Sequence, residues 1–467
     1  MQLLHTLAKT RVSFDDPNLI SHAGLVPLSA LAERAGLPGL AAAHVRPGGE
    51  RGANAGLKVA CLAAGMAAGA DSIDDMGLLR HGATEKVFGG VRAPSTLGSF
   101  LRAFTWGNVG QLNKVHQEFL VNLAREAPLL PGAGTIAFTG IDSTQKRVLG
   151  YRKQGAKSGH TKIAGKSLLV KGLNALAGVI STPLPAPVTG AVRLRGGNAA
   201  SGRGAASLAK EVIGTARECG CTGLIVARPD SGCYSAAVIS AIRSAGARFS
   251  VTAPMNSSIR AAIAAVPEGA WKGIRYPRAI RDDQLDCRVS DAEVAETGCT
   301  AFTSKKNQQV TARLIVRRVR DLNKKAAQGQ DELFPVWRYH AVFTDSPCET
   351  TQAEGQHRDH AIAEQVFADF YDGPLAHLPS GSFNANAAWL VIAAMAQNLV
   401  RAAGTLAGPL HAKARAATIR RDLIAVAART ARHGRGHLIL HLPEYWHREH
   451  EWLSPWHAAC GPPAPAA

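Results

Sequence analysis

Three carboxylates stand where paired-cation chemistry would want them. Asp142 lies in Gly140-Ile-Asp-Ser-Thr, Asp230 in Ala227-Arg-Pro-Asp-Ser-Gly, and Glu364 in His357-Arg-Asp-His-Ala-Ile-Ala-Glu. Three such groups a few Å apart repel by roughly 4 kcal/mol per pair at an effective dielectric of about 20. Either a divalent cation sits among them or they protonate. Magnesium is the natural occupant, since it takes oxygen ligands, keeps several waters and accepts phosphate oxygens. Two such ions about 3.5–4 Å apart clamp the attacking and leaving oxygens of an in-line phosphoryl displacement.

The elements that would position these acids follow from pattern. Residues 134–139, Gly-Thr-Ile-Ala-Phe-Thr, predict a strand ending close to Asp142, and residues 223–227 predict a second ending just before Asp230. Glu364 falls in a helical run over 357–370. Between the aspartates, residues 146–151, 166–180 and 188–194 predict two or three antiparallel strands. A helix over 201–219, the strand at 224–227, a helix over 235–245 and a strand over 248–253 come next. This β-β-β-α-β-α-β order resembles the ribonuclease H-like core, an α/β (α+β) mixed sheet flanked by helices. In it the first strand lies beside the one after the first helix, which brings Asp142 and Asp230 together.

Residues 1–130 read as helical. An Ala-rich helix covers 57–70, residues 93–96 offer a cap before the stripe Leu97, Phe100, Leu101 and Phe104, and Leu112, Val115, Phe119 and Leu123 repeat the pattern. The segment before Glu364 exceeds a helix and a strand. It contains a strand over 310–320, with Ala312, Leu314 and Val316 on one face and Arg313, Ile315 and Arg317 on the other, so that face is basic. A strand over 336–344 follows the charged stretch 323–332. The expected organisation is a helical N-terminal region (1–130), a core that carries the three acids (131–254 and 348–406), a β-rich insertion subdomain (255–347) and a C-terminal helical and basic region (407–467). In the last, residues 413–432 read as an Ala-rich helix carrying Arg415, Arg420, Arg421, Arg429 and Arg432.

Composition names the partner. The chain carries 53 Lys and Arg against 35 Asp and Glu, a net charge of +18, with pI about 9.9. That is the footprint of a phosphate-backbone binder, although a GC-rich genome produces the same excess of Arg. The eight cysteines form no CxxC pair, and the spacings among His433, His437, His441, His447, His450 and His457 match no common ligand pattern. Residues 1–10 lack a secretory core, and the apolar helix 387–395, interrupted by Gln397 and Asn398, reads as too short to span a bilayer. The expectation is a cytoplasmic, nucleoid-associated bacterial protein with no membrane partner.

The three acidic segments together resemble the motifs of the DDE insertion-sequence transposases, and among them the group numbered thirteen-eighty, in which a β-rich insertion separates the second and third acids. Residues 71–82, 93–104, 375–381 and 384–389 add to the likeness, which covers about 20–455. The resemblance implies a catalytic and metal-binding triad of Asp142, Asp230 and Glu364 holding two Mg2+ or Mn2+ ions. It also implies cleavage of double-stranded DNA at terminal inverted repeats, strand transfer to target DNA, and a homodimer on DNA, with 1–130 as the DNA-end-binding or dimerisation region and 131–254 with 348–406 as the catalytic core. A relative in this broad class passes through a hairpin intermediate aided by its insertion, which makes Trp271 and Trp337 candidates for stacking on a displaced base, with Arg317 and Arg320 candidates for phosphate contact.

One motif departs from the pattern. Relatives carry Tyr, two residues, Arg, three residues, Glu, six residues and Lys, where this chain has His357, His360, Glu364 and Tyr371. Arg358 is placed to replace the missing phosphate contact beside His357. His360, one helical turn before Glu364, would share its face and orient a phosphate or the carboxylate. Two alternatives stay open: a catalytically inactive DNA-binding descendant, and a ribonuclease H-like nuclease that cuts without joining.

Overall fold

The computed structural model describes residues 4–150, 152–163, 166–274, 281–282, 287–288, 292–304, 306–320, 336–432, 434 and 436–461. Helices α1 (Leu25–Arg34), α2 (Leu37–His44), α3 (Ala55–Ala68), α4 (Thr84–Val87), α5 (Pro94–Arg102) and α6 (Trp106–Glu126) form the N-terminal region, joined by the short strand β1 (Leu19–Ile20). The predicted stripes are its core: Leu97, Phe100, Leu101, Phe104, Leu112, Val115, Phe119 and Leu123 are all buried. Thr105 and Asn108 start α6 with a reciprocal capping box. The cap expected before α5 is instead a proline at its first turn, with no side-chain bond.

The ribonuclease H-like order follows. Strands β2 (Ile136–Arg147), β3 (Lys157–Ile163), β4 (Lys166–Ser181) and β5 (Val188–Gly196) precede α7 (Ala205–Glu218), β6 (Leu224–Pro229), α8 (Ala236–Ser244) and β7 (Arg248–Thr252). Strand β2 pairs antiparallel with β4 and parallel with β6, and β6 pairs parallel with β7. Two expectations shift here. Strand β2 runs on past Asp142 to Arg147, so residues 146 and 147 belong to it while 148–150 form no strand, and β3 is an additional strand that pairs with β4.

After α9 (Ser257–Ala264) come β8 (Lys272–Ile274), β9 (Arg281–Asp282), β10 (Cys287–Arg288), β11 (Ala292–Ala301), β12 (Val310–Arg320) and β13 (Trp337–Thr344). Strand β13 pairs antiparallel with β7, so β13, β12, β11 and β8 continue the core sheet in that order, while β9 and β10 pair with each other. The stretch 323–332 lies outside the described residues. The basic face expected of β12 is not solvated: Ile315 packs with Val294, Val342 and Ala353 in a small second core. Arg313 donates to the carbonyls of Ser346 and Cys348, both at 2.7 Å.

Three helices close the core: α10 (Thr350–Arg358), α11 (Ile362–Tyr371) and α12 (Phe383–Leu406). The expected single helix over 357–370 is broken by a 3-10 turn at Asp359–Ala361. Helix α12 begins four residues ahead of the apolar run that starts at Ala387. It runs through Gln397 and Asn398, and by length and composition it could cross a membrane, yet its whole apolar window is buried inside the protein. Its polar residues are satisfied by strand β5: Asn398 accepts from Thr189 N–H and donates to its carbonyl, each at 2.8 Å, and Gln397 accepts from the Thr189 hydroxyl at 3.0 Å. The helix thereby occupies polar groups of a strand edge that would otherwise stay open.

The chain ends in α13 (Pro409–Ala412), α14 (Ala416–Ile419), β14 (Ala428–Arg432), β15 (Leu438–His441) and α15 (Glu449–Cys460). The basic helix expected over 413–432 is absent. A π-helical turn at Arg420–Ile424 ends it, and β14 pairs with both β1 and β15. Helix-forming alanines lose here to a pairing partner some four hundred residues away.

Trp389 is fully buried, and its indole N–H donates to the Pro374 carbonyl at 2.5 Å. Trp389→Ala is expected to cost about 3–5 kcal/mol through cavity formation. Trp389→Phe, which leaves only the carbonyl unpaired, should cost about 1–3 kcal/mol. Urea unfolding midpoints check both values and their order.

Candidate active site

The parallel pairing of β2 with β6 ends at Ile141 opposite Pro229, and the next residue on each strand is an aspartate. The Asp230 N–H donates to the Ile141 carbonyl at 2.8 Å, which locks the two strand ends together. Asp142 Oδ1 accepts from the Ser143 N–H at 2.6 Å, while Asp230 caps the turn Ser231–Cys233, accepting from the Gly232 N–H at 3.2 Å. Cys233 senses both acids. Its thiol is pushed up to about 12 by burial, with Asp230 and Asp142 adding to the shift.

Glu364 is brought to this point by the way α11 lies along β2. Alternate residues 140, 142 and 144 face the helix. Gly140 sits beneath Ala363, where a side chain would place its Cβ 3.5 Å from the Ala363 Cβ and 3.0 Å from Val179 Cγ2. At the other end the Thr144 and Tyr371 hydroxyls are 2.6 Å apart. Eight residues of helix rise about 12 Å and four of strand about 13 Å, so helix and strand run side by side in the same direction. Glu364 consequently enters beside Asp142.

Helix α11 is also held from behind. Asp369 is buried and accepts from Arg415 Nε at 2.6 Å and from the Ala416 N–H at 3.1 Å, with Arg401 Nη2 at 3.8 Å. Asp372 takes the other fork of Arg415 at 2.6 Å. Arg415 and Arg420, expected on a DNA-facing helix, therefore turn inward, Arg420 donating to the carbonyls of Asp372 and Ala67, both at 3.3 Å.

The electrostatic outcome is concentrated on Asp142. Burial raises its pKa to about 6, with Asp230 and Glu364 adding to the rise, while the Ser143 N–H and His360 oppose it. Asp142 thus lies in the field of both other carboxylates. Among the described residues no three His, Cys, Asp or Glu side chains converge closely enough to form a metal cage. As a donor set the trio fits a hard, oxygen-preferring divalent ion, because it is acceptor-only and its central member is already penalised for its charge.

The other predicted site residues divide. His360 lies beside the acids, its Nδ1 2.9 Å from the His357 carbonyl, so it joins the cluster despite the break in the helix. His357 does not. It is buried, with Nδ1 2.9 Å from the Ser250 hydroxyl and Nε2 3.0 Å from that of Thr252, and burial pushes its pKa down to about 3. It is a neutral tie between α10 and β7, with neither nitrogen free for a phosphate. Arg317 is likewise turned inward to the buried Glu354 at 3.2 Å, a carboxylate shared with Arg358 at 3.2 Å. Arg358 and Arg320 keep exposed side chains.

Trp271 and Trp337 close on the buried Arg318, whose guanidinium lies 4.3 and 4.4 Å from their ring centroids. Arg318 also bonds Glu293 at 2.6 Å and Glu268. One face of each indole is therefore occupied within the protein. Sequence reasoning passed over Arg228, whose guanidinium stacks 4.1 Å from the Phe138 ring centroid and donates to the Gln356 carbonyl at 2.6 Å, tying β6 to α10. Its place one step from Pro229-Asp230 was the available signal. Gly140 and Tyr371 were visible too, but only as motif letters.

A family model described as "Transposase DDE domain group 1" matches residues 4–455, nearly the whole chain. No curated protein matches it.

Gly140→Val is expected to overpack the contact between β2 and α11 and to cost about 1–3 kcal/mol. Backbone amides of α11 should then exchange with solvent faster while those of β6 keep their protection, as read by hydrogen exchange with mass spectrometry.

Proposed function

The chain belongs to the transposases with a DDE domain of group 1, and from that premise we propose that Asp142, Asp230 and Glu364 hold two divalent cations and cut DNA at the ends of a mobile element. The freed 3′-hydroxyl then attacks target DNA. The observation that carries this reading is the Asp230 N–H bond to the Ile141 carbonyl at 2.8 Å, which holds the two aspartates at adjoining strand ends, and the raised pKa of Asp142 is in keeping with it.

Bound Mg2+ or Mn2+ would supply Lewis-acid activation of water and would stabilise the charge of an in-line displacement. The protein's own part is positional. Asp142 and Asp230 offer carboxylate oxygens from two strands locked by the Ile141 bond, and Glu364 offers a third from a helix that Gly140 admits and Tyr371 clamps. His360, inside the field of the acids, is suited to orient a phosphate oxygen. Arg358 and Arg320 are exposed cations suited to backbone contact. Strand transfer on two element ends calls for a homodimer on DNA or sequential use of one site.

The inactive-descendant reading retains one support, the absence of a three-ligand cage among the described residues. Against it, the changed positions of the third motif have acquired work: His357 ties α10 to β7 and Tyr371 pins α11 to β2.

The deciding assay uses purified full-length protein, Mg2+ and a duplex carrying the repeats that flank its gene. Wild type is expected to give nicked and joined products. Asp230→Asn should lose both by more than the roughly 10–100-fold that loss of an outer-shell partner costs. Nicked product without joining would indicate a nuclease, and salt-sensitive binding with neither product would indicate an inactive descendant.

A further inference from the structure

Residues 143–210, about one-seventh of the chain, contain twelve lysines and arginines and no Asp or Glu, and Arg193 pairs with Glu211 just beyond the stretch at 2.5 Å. It comprises the second half of β2, the whole of β3, β4 and β5, and the loop into α7.

Its arrangement is directional. Strand β4 pairs with β2 only as far as Gly172, opposite Arg147, and residues before that pair with β3 alone. Six residues of two-stranded ribbon therefore project past the end of β2 by about 20 Å. They project from the end of the sheet where β2 and β6 deliver Asp142 and Asp230. That reach equals the rise of about six base pairs.

The base of the ribbon is joined to the candidate active site. Strands β3 and β5 lie end to end on the same side of β4, meeting where a Cβ on Gly197 would lie 2.1 Å from the Gly172 carbonyl oxygen and 2.2 Å from that of Lys157. Only glycine fits there. The loop then passes Asp230: a Cβ on Gly232 would lie 2.6 Å from that of Ser201, and the Cys233 thiol reaches the Ser201 carbonyl at 3.7 Å. Arg195, buried beneath, holds the loop through the carbonyls of Ala200, Ser201 and Arg203 at 3.2, 3.2 and 2.6 Å, and anchors itself on Asn174.

This leaves Arg147, Arg152, Lys157 and Arg203 exposed, Arg147 and Lys157 flanking Gly172 at the base of the ribbon and Arg203 in the loop that passes the Asp230 turn. Lys146 and Lys153 are otherwise engaged, the first over the Tyr371 ring and the second with the Leu378 carbonyl. We propose that the β3–β4 ribbon and the 197–203 loop form a DNA-backbone grip beside the candidate active site, in which Arg147, Arg152, Lys157 and Arg203 contact phosphates of the duplex flanking the cut bond. The grip rests on the transposase reading above. DNA is favoured over a second copy of the chain because the surface is cationic without compensating acids in its own sequence. The two exposed leucines of the ribbon, Leu168 at 44% and Leu169 at 64%, are the feature a protein partner would use instead.

The test measures binding of full-length protein to a fluorescein-labelled 40-base-pair duplex by anisotropy, at salt concentrations from about 50 to 300 mM. Each phosphate neutralised adds about 0.9 to the slope of log affinity against log salt. The triple variant Arg152→Ala, Lys157→Ala, Arg203→Ala should reduce the slope by two to three units. Arg248→Ala, Arg260→Ala, Lys306→Ala, an equal loss of charge on exposed residues elsewhere, should leave it unchanged. Arg203→Gln alone should remove about one unit, which keeps the proposal testable if the triple variant folds poorly. Equal slopes for both triple variants overturn the grip while leaving the transposase reading intact. Absence of salt-dependent binding by wild type overturns both. A Leu168→Ser, Leu169→Ser protein that falls to monomer in sedimentation, alongside an unchanged slope in the arginine and lysine triple, assigns the ribbon to an interface between copies and also overturns the proposal.

Discussion

Negative charge gathered on a half-buried carboxylate is the constraint around which this molecule is built. Asp142 would ionise readily in water, but here burial and two neighbouring acids hold its pKa near 6. Nothing in the local backbone relieves that penalty beyond one N–H from Ser143. Keeping Glu364, whose side chain is exposed, within the field of Asp142 takes mechanical restraint. The restraint comes from opposite directions. Gly140 lets α11 approach β2, Tyr371 closes the far end, and Asp369 is held by buried and half-buried arginines from the C-terminal region.

The same restraint explains where the positive charge goes. Arg317, Arg318, Arg401, Arg415 and Arg420 look in composition like phosphate contacts, yet they are consumed by internal carboxylates, carbonyls and aromatic faces. A cation already bound inside the protein contributes little counterion release. Among the cations left exposed, Arg147, Arg152, Lys157 and Arg203 fall in the acid-free stretch that borders the Asp142 and Asp230 end of the sheet.

The order of strands and helices was legible because it rests on local pattern. The β-branched run into Asp142, the run into Asp230 and the helical stripes ending at Leu123 each lie within one element, and all are present. What was hidden depends on distant partners. Residues 428–432 become a strand because residues 19–20 lie beside them, which no window around the alanines reveals. His357 reads as a phosphate ligand until Ser250 and Thr252 are seen on either side of its ring. The break at Asp359–Ala361 carries no proline or glycine to announce it, and the motif glycine at 140 gives no hint that it faces Ala363. Individual acids could be picked out from their strand ends, whereas the direction of each cation could not, because it is decided by which carboxylate the fold brings nearest.

The central claim is that a divalent cation relieves the repulsion on Asp142. Its most direct test is Mn2+ binding to the full-length protein, followed by electron paramagnetic resonance of the free ion between about pH 5 and 8. Protons and metal compete for the same oxygens, so affinity should rise as pH passes about 6, where Asp142 deprotonates, and Asp142→Asn should remove both the binding and its pH dependence. Binding that is flat across that range, or that survives Asp142→Asn unchanged, would contradict the account.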